Sequence, residues 1–188
     1  INIGFGAHSF STDPQNKFAF ASCIAGEYIS ESDKSENGAN AIFQFKFNEL
    51  NGQVLHNTVF KVVPDGQVGP RHFCFNPKKS VVYFSNEQGC SVTSYNLDSI
   101  LGTLTPFQSI STLPDRYEGD NTCSQIQISP SGNFLYAPNR GHDSVACFSV
   151  NEFDGSLKYI QNVQTETEPR AINIHPQGKF IYVAGENS

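Results

Sequence analysis

His8, the pair Arg71-His72, Glu87 after Asn86, Arg140 after Asn139 with His142 close behind, Gln125 and Arg170 all stand at the ends of short alternating apolar segments. Arginine presents a rigid planar fork that matches carboxylate and phosphate, whereas lysine is a mobile point charge. Only four arginines occur, and three of them belong to this set, while none of the eight lysines does. That selection points to recognition of a planar oxyanion. Two histidines and a glutamate beside such arginines add acid–base capacity.

These residues lie far apart in the chain, so a repeated frame must bring them together. Four segments share one pattern: His8 to Pro14, His72 to Pro77, Gln125 to Pro130 and Ala171 to Pro176. Each alternates in the manner of a strand and stops at a proline turn. Six residues past each proline comes an aromatic: Phe20, Tyr83, Tyr136 and Tyr182. Turns such as Ser131-Gly132 and Gln177-Gly178 then join two antiparallel strands. A third strand is expected at Ala41 to Phe47, Ser91 to Leu97 and Ser144 to Val150. A second hairpin, at Asn51-Gly52, Leu101-Gly102 and Asp154-Gly155, leads into a fourth.

Self-similar units of four strands spaced in this way predict an all-β chain, a β-propeller of four-stranded antiparallel blades. Residues 1–188 form one partial propeller domain, with blade repeats starting near residues 7, 70, 123 and 169 and about three and a half blades present. An open arc leaves unpaired edges, so a longer intact molecule is expected. The first repeat is lengthened by a polar stretch, Glu27 to Asn40, expected to be a solvated loop. Pro114 to Asn121 is a shorter excursion.

Strand direction turns this frame into a site. The first strand of a blade runs one way and the second returns, so the start of one and the end of the other share a mouth of the ring. First-strand starts supply His8, Arg71-His72, Gln125 and Arg170. Second-strand ends supply Glu87, Asn139-Arg140 with His142, and Glu186-Asn187. His56 and His175 fall elsewhere and read as structural.

Several function classes are excluded or disfavoured. A formal charge of -6 opposes a nucleic-acid surface. No apolar run approaches the roughly 18 residues that span a bilayer, so no membrane partner is expected. Five cysteines without a C-x-x-C, and no N-x-S/T sequon, favour a cytoplasmic setting. Oxygen ligands for a divalent metal could come from Glu87, Asn86, Asn139 and Asn187, but carboxylates are few; neither a metal nor another cofactor is expected.

The segments Gly69-Pro-Arg-His72, Tyr83-Phe-Ser-Asn-Glu87, Tyr136-Ala-Pro-Asn-Arg-Gly141 and Thr165-Glu-Thr-Glu-Pro-Arg170 resemble the seven-bladed β-propeller lactonases. That family includes propeller-type 6-phosphogluconolactonases and carboxy-cis,cis-muconate cyclases. The resemblance covers nearly the whole chain and implies seven blades in the intact protein. It also implies a pocket built on His8, Arg71, Glu87 and Arg140, the residues that strand direction selects independently. Gln125 stands where relatives often carry an acidic residue.

The expectation is therefore a lactone hydrolase acting on a small anionic sugar lactone, 6-phosphogluconolactone first. Glu87 or His8 would serve as base, Arg71 with His72 would face the carbonyl oxygen, and Arg140 and Arg170 would hold the phosphate. Asn139, Gln125 and His142 would complete the substrate wall. The alternatives are a muconate-lactonizing cyclase and a propeller that only binds.

Overall fold

The fold rests on a device that the sequence repeats just before each proline turn. In the computed structural model, which describes residues 1–29 and 35–187, Asp13, Asn76, Ser129 and His175 each accept a main-chain N–H from the turn that follows. Asp13 does most: one carboxylate oxygen accepts from Lys17 and Phe18 at 2.8 and 2.7 Å, and the other from Gln15. Short polar side chains that mimic a backbone turn in this way fix where the chain reverses.

Blade 1 consists of β1 (Ala7–Thr12) and β2 (Phe18–Cys23), a small hairpin β3 (Glu27–Ile29) and β4 (Ser35–Asn37), then β5 (Ala41–Asn48) and β6 (Gln53–Val62). Its four main strands pair antiparallel in the order β1-β2-β5-β6. Blade 2 repeats the order with β7 (Pro70–Phe75), β8 (Val81–Asn86), β9 (Ser91–Asp98) and β10 (Thr103–Ser111). Blade 3 splits its innermost strand into β11 (Thr122–Cys123) and β12 (Gln127–Ile128). Both pieces pair with β13 (Phe134–Arg140), which leads to β14 (Ser144–Val150) and β15 (Leu157–Gln164). The inner half of a fourth blade follows, β16 (Pro169–Ile174) and β17 (Ile181–Gly185).

The all-β propeller expectation is met, with third strands and hairpins where the repeat placed them. Within the stretch expected to be a solvated loop, the described residues at its two ends pair as the β3–β4 hairpin, while residues 30–34 lie outside the described ones.

Packing explains why β2 and β8, the second strands of blades 1 and 2, are wholly buried. Successive β8 side chains serve opposite cores. Val82 and Phe84 join Phe18, Phe20 and Ile42 of blade 1, whereas Val81 and Tyr83 join Leu135, Ala146 and Phe148 of blade 3. Each interface is therefore a shared core, and each burial of a large side chain contributes about 1.5–3 kcal/mol. Close approach also dictates glycine. At Gly102 (φ 65°), an added Cβ would fall 2.0 Å from the Phe18 ring of the neighbouring blade.

Polar groups fasten the same interfaces. Gln44 donates to the Val59 carbonyl and accepts the Leu104 N–H of blade 2. Gln108 does the same between blades 2 and 3, on the two main-chain groups of Leu157. The buried Tyr83 hydroxyl donates to the Gly155 carbonyl at 2.7 Å. Low-dielectric surroundings make these bonds costly to break.

Candidate active site

Every innermost strand departs from its ladder at the same place. The β1–β2 register breaks between Ala7 and Ser9, β7–β8 between Pro70 and Phe73, and β16–β17 between Pro169 and Ala171. Blade 3 interrupts its inner strand between Cys123 and Gln127. The residues set free are His8, Arg71-His72, Arg170 and the Ser124–Ile126 step. A bulge bends a strand and re-aims a side chain, which is why bulges gather beside active sites. Two positions before His8, Arg71 and Arg170, the backbone is left-handed: Gly6 (φ 79°), Gly69 (φ 67°) and Glu168 (φ 52°).

A bulged residue leaves its carbonyl without a ladder partner, and the preceding blade supplies one. Ser22 and Ser9 donate to the Arg71 carbonyl, and Ser85 donates to the Ser124 carbonyl at 2.8 Å. Sequence reasoning missed these serines. The signal was available, since Ser22 and Ser85 both lie eight residues beyond the repeat proline.

The side chains so presented form one connected group. Glu87 holds two guanidiniums: its Oε2 accepts Arg71 Nε at 2.6 Å and its Oε1 accepts Arg140 Nη2 at 2.9 Å. Arg71 is 2 % exposed and also donates through Nη1 to Nδ1 of His72 at 2.7 Å. Arg140 Nη2 additionally donates to the Cys123 carbonyl, and its Nε is buried without a partner among the described residues. The rings of His8 and His72 meet edge to face, with centroids 4.9 Å apart.

Two arginines against one glutamate leave this group with one net positive charge, in a protein whose total is -6. Burial holds the His8 imidazole below the usual histidine value, and the Arg71 charge lowers it further; Glu87 opposes them. His72 is pushed down to about 4, by burial first and then by Arg71, His8 and Arg140. Both rings are therefore neutral at pH 7. Arg170 of β16 pairs with Glu186, just past the end of β17, half exposed, and its charge reaches His8 and Arg71.

His8, Arg71, His72, Glu87 and Arg140 thus lie in one contiguous group, with the Arg170 charge near enough to act on it. Three other candidates have partners within the fold. Asn139 is fully buried, donating to the Thr112 carbonyl and accepting from its hydroxyl at 2.7 Å, so its amide is a structural clasp. Gln125 accepts the Ile172 N–H and ties blade 3 to blade 4. His142 turns to Ser144, with Nδ1 2.7 Å from its hydroxyl, and packs edge-on against Tyr117. Of the residues considered as metal ligands, Asn86 donates through its amide to Ser91 and Thr93, and Asn187 to Glu168.

Residues 4–188 match the family described as "Lactonase, 7-bladed beta-propeller". The chain belongs to this lactonase family. A 6-phosphogluconolactonase of Pectobacterium carotovorum is 31 % identical over 183 residues, covering 97 % of this chain and 51 % of that protein. One from Bacillus subtilis is 33 % identical over 121 residues, covering 64 % of this chain and 35 % of that protein. Among solved structures, the periplasmic gluconolactonase PpgL of Pseudomonas aeruginosa superposes with a TM-score of 0.82 at 25 % identity, covering 97 % of this chain and 47 % of that one. The chain therefore spans about half the length of the first-named relative, and the expected lactonase propeller frame is present over that half.

Proposed function

We propose that the full-length protein hydrolyses an anionic sugar lactone, 6-phosphogluconolactone to 6-phosphogluconate, and does so in the cytoplasm. The observation that carries this is the cluster itself: a carboxylate clamped by two arginines, beside two neutral histidines, in a family of lactonases. The relatives named 6-phosphogluconolactonase support the substrate. Five cysteines, none in a disulfide, support the location.

Lactone hydrolysis adds water to an ester carbonyl, stabilises the tetrahedral oxyanion and then expels the ring oxygen as an alcohol. The base must accept a proton at neutral pH. His8 fits this role. It is neutral, and its Nδ1 is buried, so Nε2 is the nitrogen left to meet a water. Glu87 is committed through both oxygens and serves as the anchor that aims two guanidiniums. Arg140 keeps Nη1 free of any described partner, and Arg170 sits at the more open edge, so these two would meet the phosphate. Arg71 is buried behind Glu87 and His72 and does not face the substrate directly.

The deciding measurement is hydrolysis of 6-phosphogluconolactone by the full-length protein, corrected for spontaneous opening. A rate indistinguishable from background overturns the proposal. The relatives' names give the cyclase alternative no support, and a parallel assay with a carboxymuconate substrate separates the two.

A further inference from the structure

The contact between Arg71 and His72 decides which imidazole nitrogen carries the proton. Arg71 Nη1 lies 2.7 Å from His72 Nδ1. A guanidinium has donors only and keeps its proton in proteins. A protonated Nδ1 would set two donors against each other at hydrogen-bond distance. Nδ1 must therefore accept, and a neutral His72 must carry its proton on Nε2.

The guanidinium that imposes this is itself fixed. Its Nε is held by Glu87, its side chain is 3 % exposed, and its main-chain carbonyl is pinned by Ser9 and Ser22 of the preceding blade. Carboxylate, guanidinium and imidazole thus form a line, Glu87 to Arg71 to His72, whose far end is the Nε2–H. That group bonds no described residue and is not among the atoms sealed from solvent. The His72 ring packs edge to face against that of His8, the proposed base.

We propose that Arg71 is a positioning residue that locks His72 as the neutral Nε2–H tautomer, and that this N–H donates to the carbonyl oxygen of the lactone. The inference rests on the lactonase reading for its chemical role. Water oxygen bonds to the carbonyl carbon while His8 takes a proton and the carbonyl electron pair moves onto oxygen. His72 donates a hydrogen bond to that oxyanion and transfers no proton. The oxyanion then collapses, the ring C–O bond breaks, and the proton held by His8 passes to the departing oxygen. The titratable groups facing His72 are Arg71, His8 and Arg140, and burial first, then these neighbours, keeps the ring neutral.

Two readouts test this on the full-length protein. The ¹⁵N–¹H correlations of the histidine side chains should show His72 as the Nε2–H tautomer at pH 7, and Arg71→Met should mix the tautomers and raise its pKa. In kinetics, His72→Leu should lose about 10²–10³-fold in kcat with little change in KM, the usual cost of one oxyanion donor. His72→Gln, which restores an N–H at the same reach, should recover most of it. An Nδ1–H or cationic His72 in the unsubstituted protein overturns the tautomer assignment, and kcat of His72→Leu within twofold of normal overturns the donor role. If no lactone is hydrolysed, the functional reading fails while the spectrum still decides the tautomer.

Discussion

Arg140 of blade 3 reaches back 2.9 Å to Glu87 of blade 2, so the candidate site is also a fastening between blades. Removing the carboxylate leaves two guanidiniums facing each other with no anion between them. Glu87→Gln should therefore cost about 3 kcal/mol, as when one partner of a buried pair is lost. It should also lower kcat through misaimed arginines. Urea unfolding of the full-length variant, with activity measured on the folded fraction, separates the two effects. An unchanged midpoint would show that the pair carries no structural weight.

His8 as base predicts a rate loss of about 10²–10⁴-fold for His8→Ala. It also fixes the acid limb of kcat/KM. Burial and Arg71 hold the imidazole below its ordinary 6.5, so activity should persist down to that pH and fall only beneath it. A limb at or above 6.5 in a pH–rate profile contradicts the assignment.

Stability should follow His72 over a defined range. Its folded value, about 4, lies below its unfolded value of 6.5, so between these limits the unfolded chain binds more protons. Stability is then full above pH 6.5, is lost as pH falls toward 4, and levels off below. Thermal melts of the full-length protein should show that slope, and His72→Gln should flatten it.

The Tyr83 hydroxyl joins blade 2 to blade 3 through the Gly155 carbonyl and also accepts from Asn76. Tyr83→Phe leaves both buried groups short of a partner and should cost about 1–3 kcal/mol. Tyr182 occupies the repeat-equivalent position but is 60 % exposed here. Removing its hydroxyl from a polypeptide of residues 1–188 should leave the denaturation midpoint unchanged. Paired denaturation curves check both.

That same polypeptide exposes Phe10 on blade 1 and Ile160, Val163, Phe180 and Tyr182 at the other end of the arc. Apolar end faces of this kind drive association. Prepared alone, it should sediment as oligomers at micromolar concentration, whereas the full-length relatives' architecture offers such faces a neighbour. A monomer in analytical ultracentrifugation would refute this.

The frame was legible because each blade repeats both its alternation and its turn chemistry. Asp13, Asn76, Ser129 and His175 mark the same corner in four dialects. Strand polarity alone then gathered His8, Arg71, Glu87 and Arg140. Side-chain direction was not legible where the partner comes from another blade or another strand. Asn139 shares its rim position with Arg140 but, one residue earlier on an alternating strand, points into the blade toward Thr112. His142 lies past the end of β13, where Ser144 and Tyr117 compete for it. The bulges were hidden because each falls at the first step of its strand, where too few residues precede the slip for the flipped alternation to show.

The register break at a constant place has a consequence for how such proteins acquire new chemistry. Six residues before each repeat proline, the four blades carry His8, Arg71, Ser124 and Arg170 in a socket that the ladder does not use. Duplicating a blade copies the socket along with its walls. Exchange of the single occupant would then change which group stands at that place, imidazole, guanidinium or hydroxyl, while the shared cores and the serine that holds its carbonyl stay as they were. Each copy thus offers one position where the side chain is free of the strand ladder, and where that side chain also ties blades together, as Arg71 does through Glu87 and Arg140, its exchange carries a cost in stability.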